Sequence, residues 1–182
     1  MIFSPTTLCD AQIIDLEVRK DERGYFARTM CTAEFASNGL PTCFVQANHS
    51  HNTQRGTLRG MHYQRAPYGE AKLVRCVRGA IFDVIIDLRL ESPTYMRSEG
   101  FVLSADNGRT LYVPEGFAHG YQTLVNDTDV IYQVSCAYTP EAEAGVRYND
   151  PSFRIAWPER VTAISSKDAG WPNFEETLMR ES

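Results

Sequence analysis

The sequence predicts an all-β sandwich or barrel, and three observations lead there. Short apolar runs recur at regular spacing, with Gly, Pro, Asn and Asp marking the turns between them. No helical segments alternate with those runs, which sets aside a βαβ fold. The chain has 182 residues, 43% hydrophobic and 23% charged, enough to bury one good core. With no internal repeat or low-complexity linker, the expectation is one domain over residues 1–182 with short peripheral helices.

The elements follow in order. Ile13–Val18 reads as a strand, and Asp21-Glu22-Arg23-Gly24 as a turn. Tyr25–Met30 resumes in extended form. Thr32–Asn38 suits a short helix, with Thr32 as cap and Gly39 as stop. Phe44–Ser50 is a strand and His51–Gly56 a polar loop. Thr57–Gln64 is a strand interrupted by Gly60. Ala66–Gly69 turns the chain into a strand over Lys72–Val77, broken by Arg78-Gly79.

Ala80–Leu88, AIFDVIIDL, is apolar on both faces and predicts a strand buried on both sides. Glu91–Thr94 turns. Arg97–Ser104 and Arg109–Val113 are strands around the loop Ala105–Gly108. Pro114-Glu115-Gly116 is a tight turn before the strand Phe117–Leu124, and Asn126–Thr128 precedes Val130–Ala137. Pro140–Gly145 reads as loop, Asn149–Pro151 as turn, and Ile164–Asp168 as the start of a tail with a helix at Phe174–Arg180.

A net charge of -5 and a pI near 5.4 argue against a general nucleic-acid or membrane-surface binder. A few arginines can still converge on one anionic ligand. No apolar run is long enough to cross a bilayer, and the first residues lack a signal peptide's basic start and apolar stretch. The cysteines, Cys9, Cys31, Cys43, Cys76 and Cys136, are scattered without a CxxC. Reduced, buried thiols in a cytoplasmic protein are expected.

Histidine is scarce: His49, His51, His62 and His119. The first two are read as surface residues of the polar loop. His62 in TLRGMHYQ and His119 in LYVPEGFAHGY sit among glycines, which permit close backbone approach. Gly108–Asn126 has the cadence of a cupin motif, whose histidine often binds a metal. The partner motif would supply His-x-His and a glutamate, but this chain has His62-Tyr63-Gln64 with Glu70 beyond. Two histidines, Gln64 and Glu70 match first-row metal sites poorly, so no metal and no cofactor are expected.

A metal-free site suits proton transfer, because imidazole titrates near neutrality. Abstraction beside a carbonyl needs a cation or donor at the enolate oxygen, and Lys72 is available. Reprotonation from the other face needs an acid. Tyr132 shares strand parity with Val130 and Val134, so it should point inward. A core tyrosine and a solvated lysine remain the plain alternatives. Arg23, Arg59 and Arg75 are cationic candidates for a phosphate, and spacing does not choose among them.

Eight stretches in order now point to a family: DERGYF, FVQANHS, LRGMHYQ, KLVRCVRGAIFDVIIDLR, SPTY, VPEGFAHGY, YTPEAEAGVRYNDP and SSKD. The chain resembles the dTDP-4-dehydrorhamnose 3,5-epimerases, metal-free members of the cupins. The resemblance implies a cupin-type jelly-roll barrel that forms a homodimer with an exchanged N-terminal strand. It implies a dTDP-linked 4-keto-6-deoxy sugar inverted at carbons 3 and 5. By the same resemblance His62 is the base, Asp168 its carboxylate partner, Tyr132 the opposing acid and Lys72 the enolate stabiliser, with His119 lining the pocket. Arg23, Phe26, Gln46, Asn48, Arg59 and Tyr138 match substrate-binding positions, and Arg23 and Phe26 would reach a partner's site. The chain departs from the family pattern at Arg28, Gln133, Ala142 and Tyr148. A single-carbon epimerase, a CDP- or GDP-sugar enzyme, a non-catalytic sugar binder and a metal-dependent cupin remain the alternative readings.

Overall fold

The structure, a computed structural model, describes residues 1–174. Its strands are β1 (Ile2–Pro5), β2 (Gln12–Asp15), β3 (Arg19–Asp21), β4 (Gly24–Phe26), β5 (Gln46–Asn52), β6 (Leu58–Gln64) and β7 (Lys72–Arg78). They continue with β8 (Ala80–Asp87), β9 (Ser98–Ser104), β10 (Thr110–Val113), β11 (Phe117–Thr123), β12 (Thr128–Val134) and β13 (Glu143–Gly145). The helices among the described residues are α1 (Thr32–Ser37), a 3₁₀ turn at Pro140–Ala142 and α2 (Ser166–Gly170).

A six-stranded sheet in the order β1-β2-β10-β7-β12-β5 faces a five-stranded sheet in the order β13-β6-β11-β8-β9. The main ladders of both are antiparallel, and the two sheets make a cupin-type jelly-roll barrel. β3 and β4 form a separate exposed hairpin.

Apolar burial explains the layering. Val74, Cys76, Leu111 and Val130 of the larger sheet meet Ile81, Ile85, Leu103 and Phe117 of the smaller one. β8 is apolar on both faces because both are covered. Ile81 and Ile85 point into the barrel. Val84 and Ile86 point out, under Val146, Phe153 and Trp157 of the C-terminal segment. On the far side of the larger sheet, α1 lays Phe35 over Ile14, Leu73 and Tyr112.

The strand pattern matches the sequence expectation, with local corrections. β1 was not foreseen, being a four-residue edge strand closed by Pro5. Cys31 occupies the N-cap of α1 and makes no side-chain bond; Thr32 is already helical. β5 runs on to Asn52, so His49 and His51 stand on a strand rather than in a loop. Both are exposed there, bonded to Asp129 across the ladder at 3.3 and 2.7 Å. Pro140–Gly145 is not all loop: β13 pairs with β6, setting Gly145 opposite His62. Residues 166–170 are helical because the Ser165 hydroxyl accepts the Asp168 N–H at 3.0 Å. The helix expected at Phe174–Arg180 lies, beyond its first residue, outside the described residues. Cys76 is buried, Cys43 is exposed and the other three cysteines lie between; all five are free.

Candidate active site

Two glycines bring the site's histidines together. Where β6 meets β11, Gly60 and Gly120 lie against each other, and a Cβ on Gly60 would stand 2.6 Å from the Gly120 Cα. That close approach makes His62 and His119 direct neighbours in the ladder, beside a register shift between His119 and Tyr121. Both rings face a cavity of about 620 Å³ between the sheets.

His62 Nε2 lies 2.7 Å from Asp168 Oδ1. The other carboxylate oxygen accepts the Gly60 N–H at 3.2 Å. Burial works to raise the Asp168 carboxyl, but the His62 hydrogen bond and charge, with the Gly60 and Ser165 donors, hold it below the usual carboxylate range. The ionised carboxylate accepts a hydrogen bond from the Nε2–H of His62, which leaves Nδ1 as the basic nitrogen. Trp171 meets the His62 ring in a T-shaped contact, the centroids 6.4 Å apart.

A carboxyl held low when folded contributes stability above its unfolded value, and that stability is lost as pH falls through the folded value. Asp168→Asn should therefore melt below wild type at about pH 7, with the gap closing as pH falls below the ordinary aspartate value of about 4. Melting curves across that range check it; a gap independent of pH would show that the carboxylate is not held low.

His119 is fixed differently. Its Nε2 lies 3.0 Å from each oxygen of Asp83, which is fully buried on β8. Lys72 opens β7 with its ammonium 3.1 Å from Glu70, and both line the cavity. Tyr132 points inward as its parity predicted, packed against the barrel core. Burial, with Tyr121 and Glu70 nearby, pushes its phenol up, so it stays protonated at neutral pH. Tyr121, buried and also pushed up, has its hydroxyl 2.9 Å from Ser50.

The rim is polar. Gln46 bonds Asn48 at 3.0 Å and accepts the Tyr138 N–H at 3.2 Å. Tyr138 donates to Glu143 at 2.8 Å, and Lys167 pairs with the same carboxylate. Burial works to raise Glu143, but Lys167 and Tyr138 together hold it low. Gln64, the residue at a cupin ligand position, is spent on backbone partners: Tyr68, Ala137 and Thr139.

Nine of the eleven proposed site residues thus converge on one cavity: His62, Asp168, Tyr132, Lys72, Gln46, Asn48, Arg59, His119 and Tyr138. Arg23 and Phe26 do not. They stand exposed on the β3–β4 hairpin, where Arg23 pairs with Asp21 at 2.5 Å. Arg75 lies on the other side of β7, near Gly108. Arg28 is held by Glu34 of α1 at 2.5 Å. Sequence reasoning missed Asp83, Glu143, Ser50 and Tyr121. Asp83 carried a signal: a carboxylate in the middle of a doubly apolar strand needs a buried partner. The other three carried none.

Comparison with known proteins completes the description. A family model described as dTDP-4-dehydrorhamnose 3,5-epimerase matches residues 5–176. A curated relative of that description from Methanothermobacter thermautotrophicus is 46% identical over 178 residues, 96% of this chain and 95% of its own length. The Bacillus anthracis dTDP-4-dehydrorhamnose 3,5-epimerase, solved with TDP and PPi bound, superposes with a TM-score of 0.92 at 39% identity, covering 95% of this chain and 99% of that one. A Legionella pneumophila dTDP-6-deoxy-D-glucose-3,5-epimerase, solved with dTDP-4-keto-L-rhamnose, gives 0.87 at 37% identity over 94% and 92% of the two chains.

Proposed function

We infer the activity from one premise: the chain belongs to the dTDP-4-dehydrorhamnose 3,5-epimerase family. It is an isomerase that inverts carbons 3 and 5 of a dTDP-linked 4-keto-6-deoxy sugar. The observation that carries the residue roles is the His62–Asp168 pair at 2.7 Å, opening on a cavity shared with Lys72 and Tyr132.

The ketone acidifies the C–H bonds on either side of it. His62 takes the proton through Nδ1, and Asp168 stabilises the imidazolium that results. The electron pair of the broken C–H bond moves onto the carbonyl oxygen, where the Lys72 ammonium meets the enolate charge. Tyr132, kept protonated by its burial, returns a proton from the opposite face. One C–H bond is lost and one is gained at each carbon, with no change in oxidation state. In heavy water the chain should introduce deuterium at carbons 3 and 5 of the dTDP sugar. Mass spectrometry locates the label: a label at one carbon alone identifies a single-carbon epimerase. None on any 4-keto-6-deoxy nucleotide sugar rejects the epimerase reading.

The chain works as a homodimer in the cytoplasm, and five free cysteines suit that compartment. The exposed β3–β4 hairpin delivers Arg23 and Phe26 to the partner's cavity beside an exchanged N-terminal strand. Their exposure and their place outside this chain's own cavity support the arrangement. Arg23→Ala and His62→Ala chains, each weak alone, should recover activity on mixing through sites built from both. No recovery from exchanging subunits would refute the shared site.

A further inference from the structure

Arg59 is the arginine that lines the cavity, and a neutral amide holds it there. Arg23, Arg28, Arg55, Arg89 and Arg109 are each paired with a carboxylate. Arg59 has no carboxylate partner among the described residues. Its Nε donates instead to the side-chain oxygen of Asn52 at 2.8 Å, and its Nη2 makes a long contact to the His51 carbonyl at 3.4 Å.

Asn52 is 3% exposed and does not line the cavity. Its amide has only one workable orientation. Nδ2 faces the carbonyl oxygens of Thr128 at 3.2 Å and Ser50 at 3.4 Å, which only accept, and the Tyr121 hydroxyl at 3.3 Å. Oδ1 must therefore be the atom that meets Arg59. A neutral amide fixes the guanidinium plane without cancelling its charge. The remaining N–H groups stay available, at full charge, to an anion in the cavity.

We propose that Asn52 is a positioning residue that sets Arg59 for the diphosphate of the nucleotide-linked substrate. The proposal rests on the nucleotide-sugar reading of the site. It is the neutrality of Asn52, as much as its hydrogen bond, that serves binding. Asn52→Asp would make a stronger contact to Arg59 and a poorer diphosphate site.

The test is a cycle of variants read by KM, kcat and competition with inorganic pyrophosphate. Asn52→Ala and Asn52→Asp should each raise KM and weaken pyrophosphate binding about ten-fold, with kcat within about two-fold of wild type. In an Arg59→Ala background, Asn52→Ala should add no further loss. Asn52→Ser takes its place should Asn52→Ala not fold. Unchanged pyrophosphate affinity in the folded variant, or an undiminished loss without Arg59, overturns the proposal. So does a wild-type chain that does not bind pyrophosphate. A wild-type chain that binds pyrophosphate but exchanges no deuterium sinks the epimerase reading and leaves the Asn52–Arg59 pair standing.

Discussion

His62→Ala is expected to lower deuterium exchange at both carbons by at least about a hundred-fold while the chain stays folded. No other imidazole in the cavity can take over. His119 is held by both oxygens of buried Asp83, and His49 and His51 stand on the strand's exposed side, bonded to Asp129. Loss of the ring also leaves the Asp168 carboxylate buried with the Gly60 N–H and the Ser165 hydroxyl beside it, so a modest drop in melting temperature should accompany the loss of exchange. Exchange at the wild-type rate in folded His62→Ala would remove His62 from the role of base.

The second large effect is structural. Gly60 has φ +123, and a Cβ there would lie 2.6 Å from the Gly120 Cα and 2.8 Å from the His119 carbonyl oxygen. Both neighbours are backbone, so no side chain can swing aside. Gly60→Ala should cost about 3 kcal/mol from backbone strain and overpacking together, near 10 °C in melting temperature for a chain of this size. It should also part β6 from β11 where His62 and His119 meet. Calorimetry with an exchange assay on the folded fraction checks both; a variant that melts with wild type would mean the ladder absorbs the methyl group freely.

Much of this was legible in the residues, for physical reasons. An all-β sandwich or barrel followed from strand length and turn chemistry, and the family resemblance narrowed it to a jelly-roll barrel. Tyr132 could be placed by parity alone, because a strand alternates its faces. The two-sided burial of AIFDVIIDL was visible because both faces of β8 are apolar. Asp168 was not legible from spacing, since 106 positions separate it from His62 and only the fold joins them. The family resemblance supplied that link. β13 was hidden because three residues carry no periodicity. The extent of β5 was misjudged because both of its faces are polar, and a polar edge strand looks like loop.

The placement of Asp168 has a consequence for how the enzyme comes into being. Every strand of the described structure ends by Gly145, whereas Asp168 rides on α2, which begins at Ser166. A nascent chain releases the whole barrel before it releases the carboxylate that pairs with His62. The His62–Asp168 pair, the proposed proton-transfer unit, is therefore among the last parts of the described chain to be assembled. A translation product stopped short of α2 would carry the barrel residues that line the cavity and lack the carboxylate that pairs with His62.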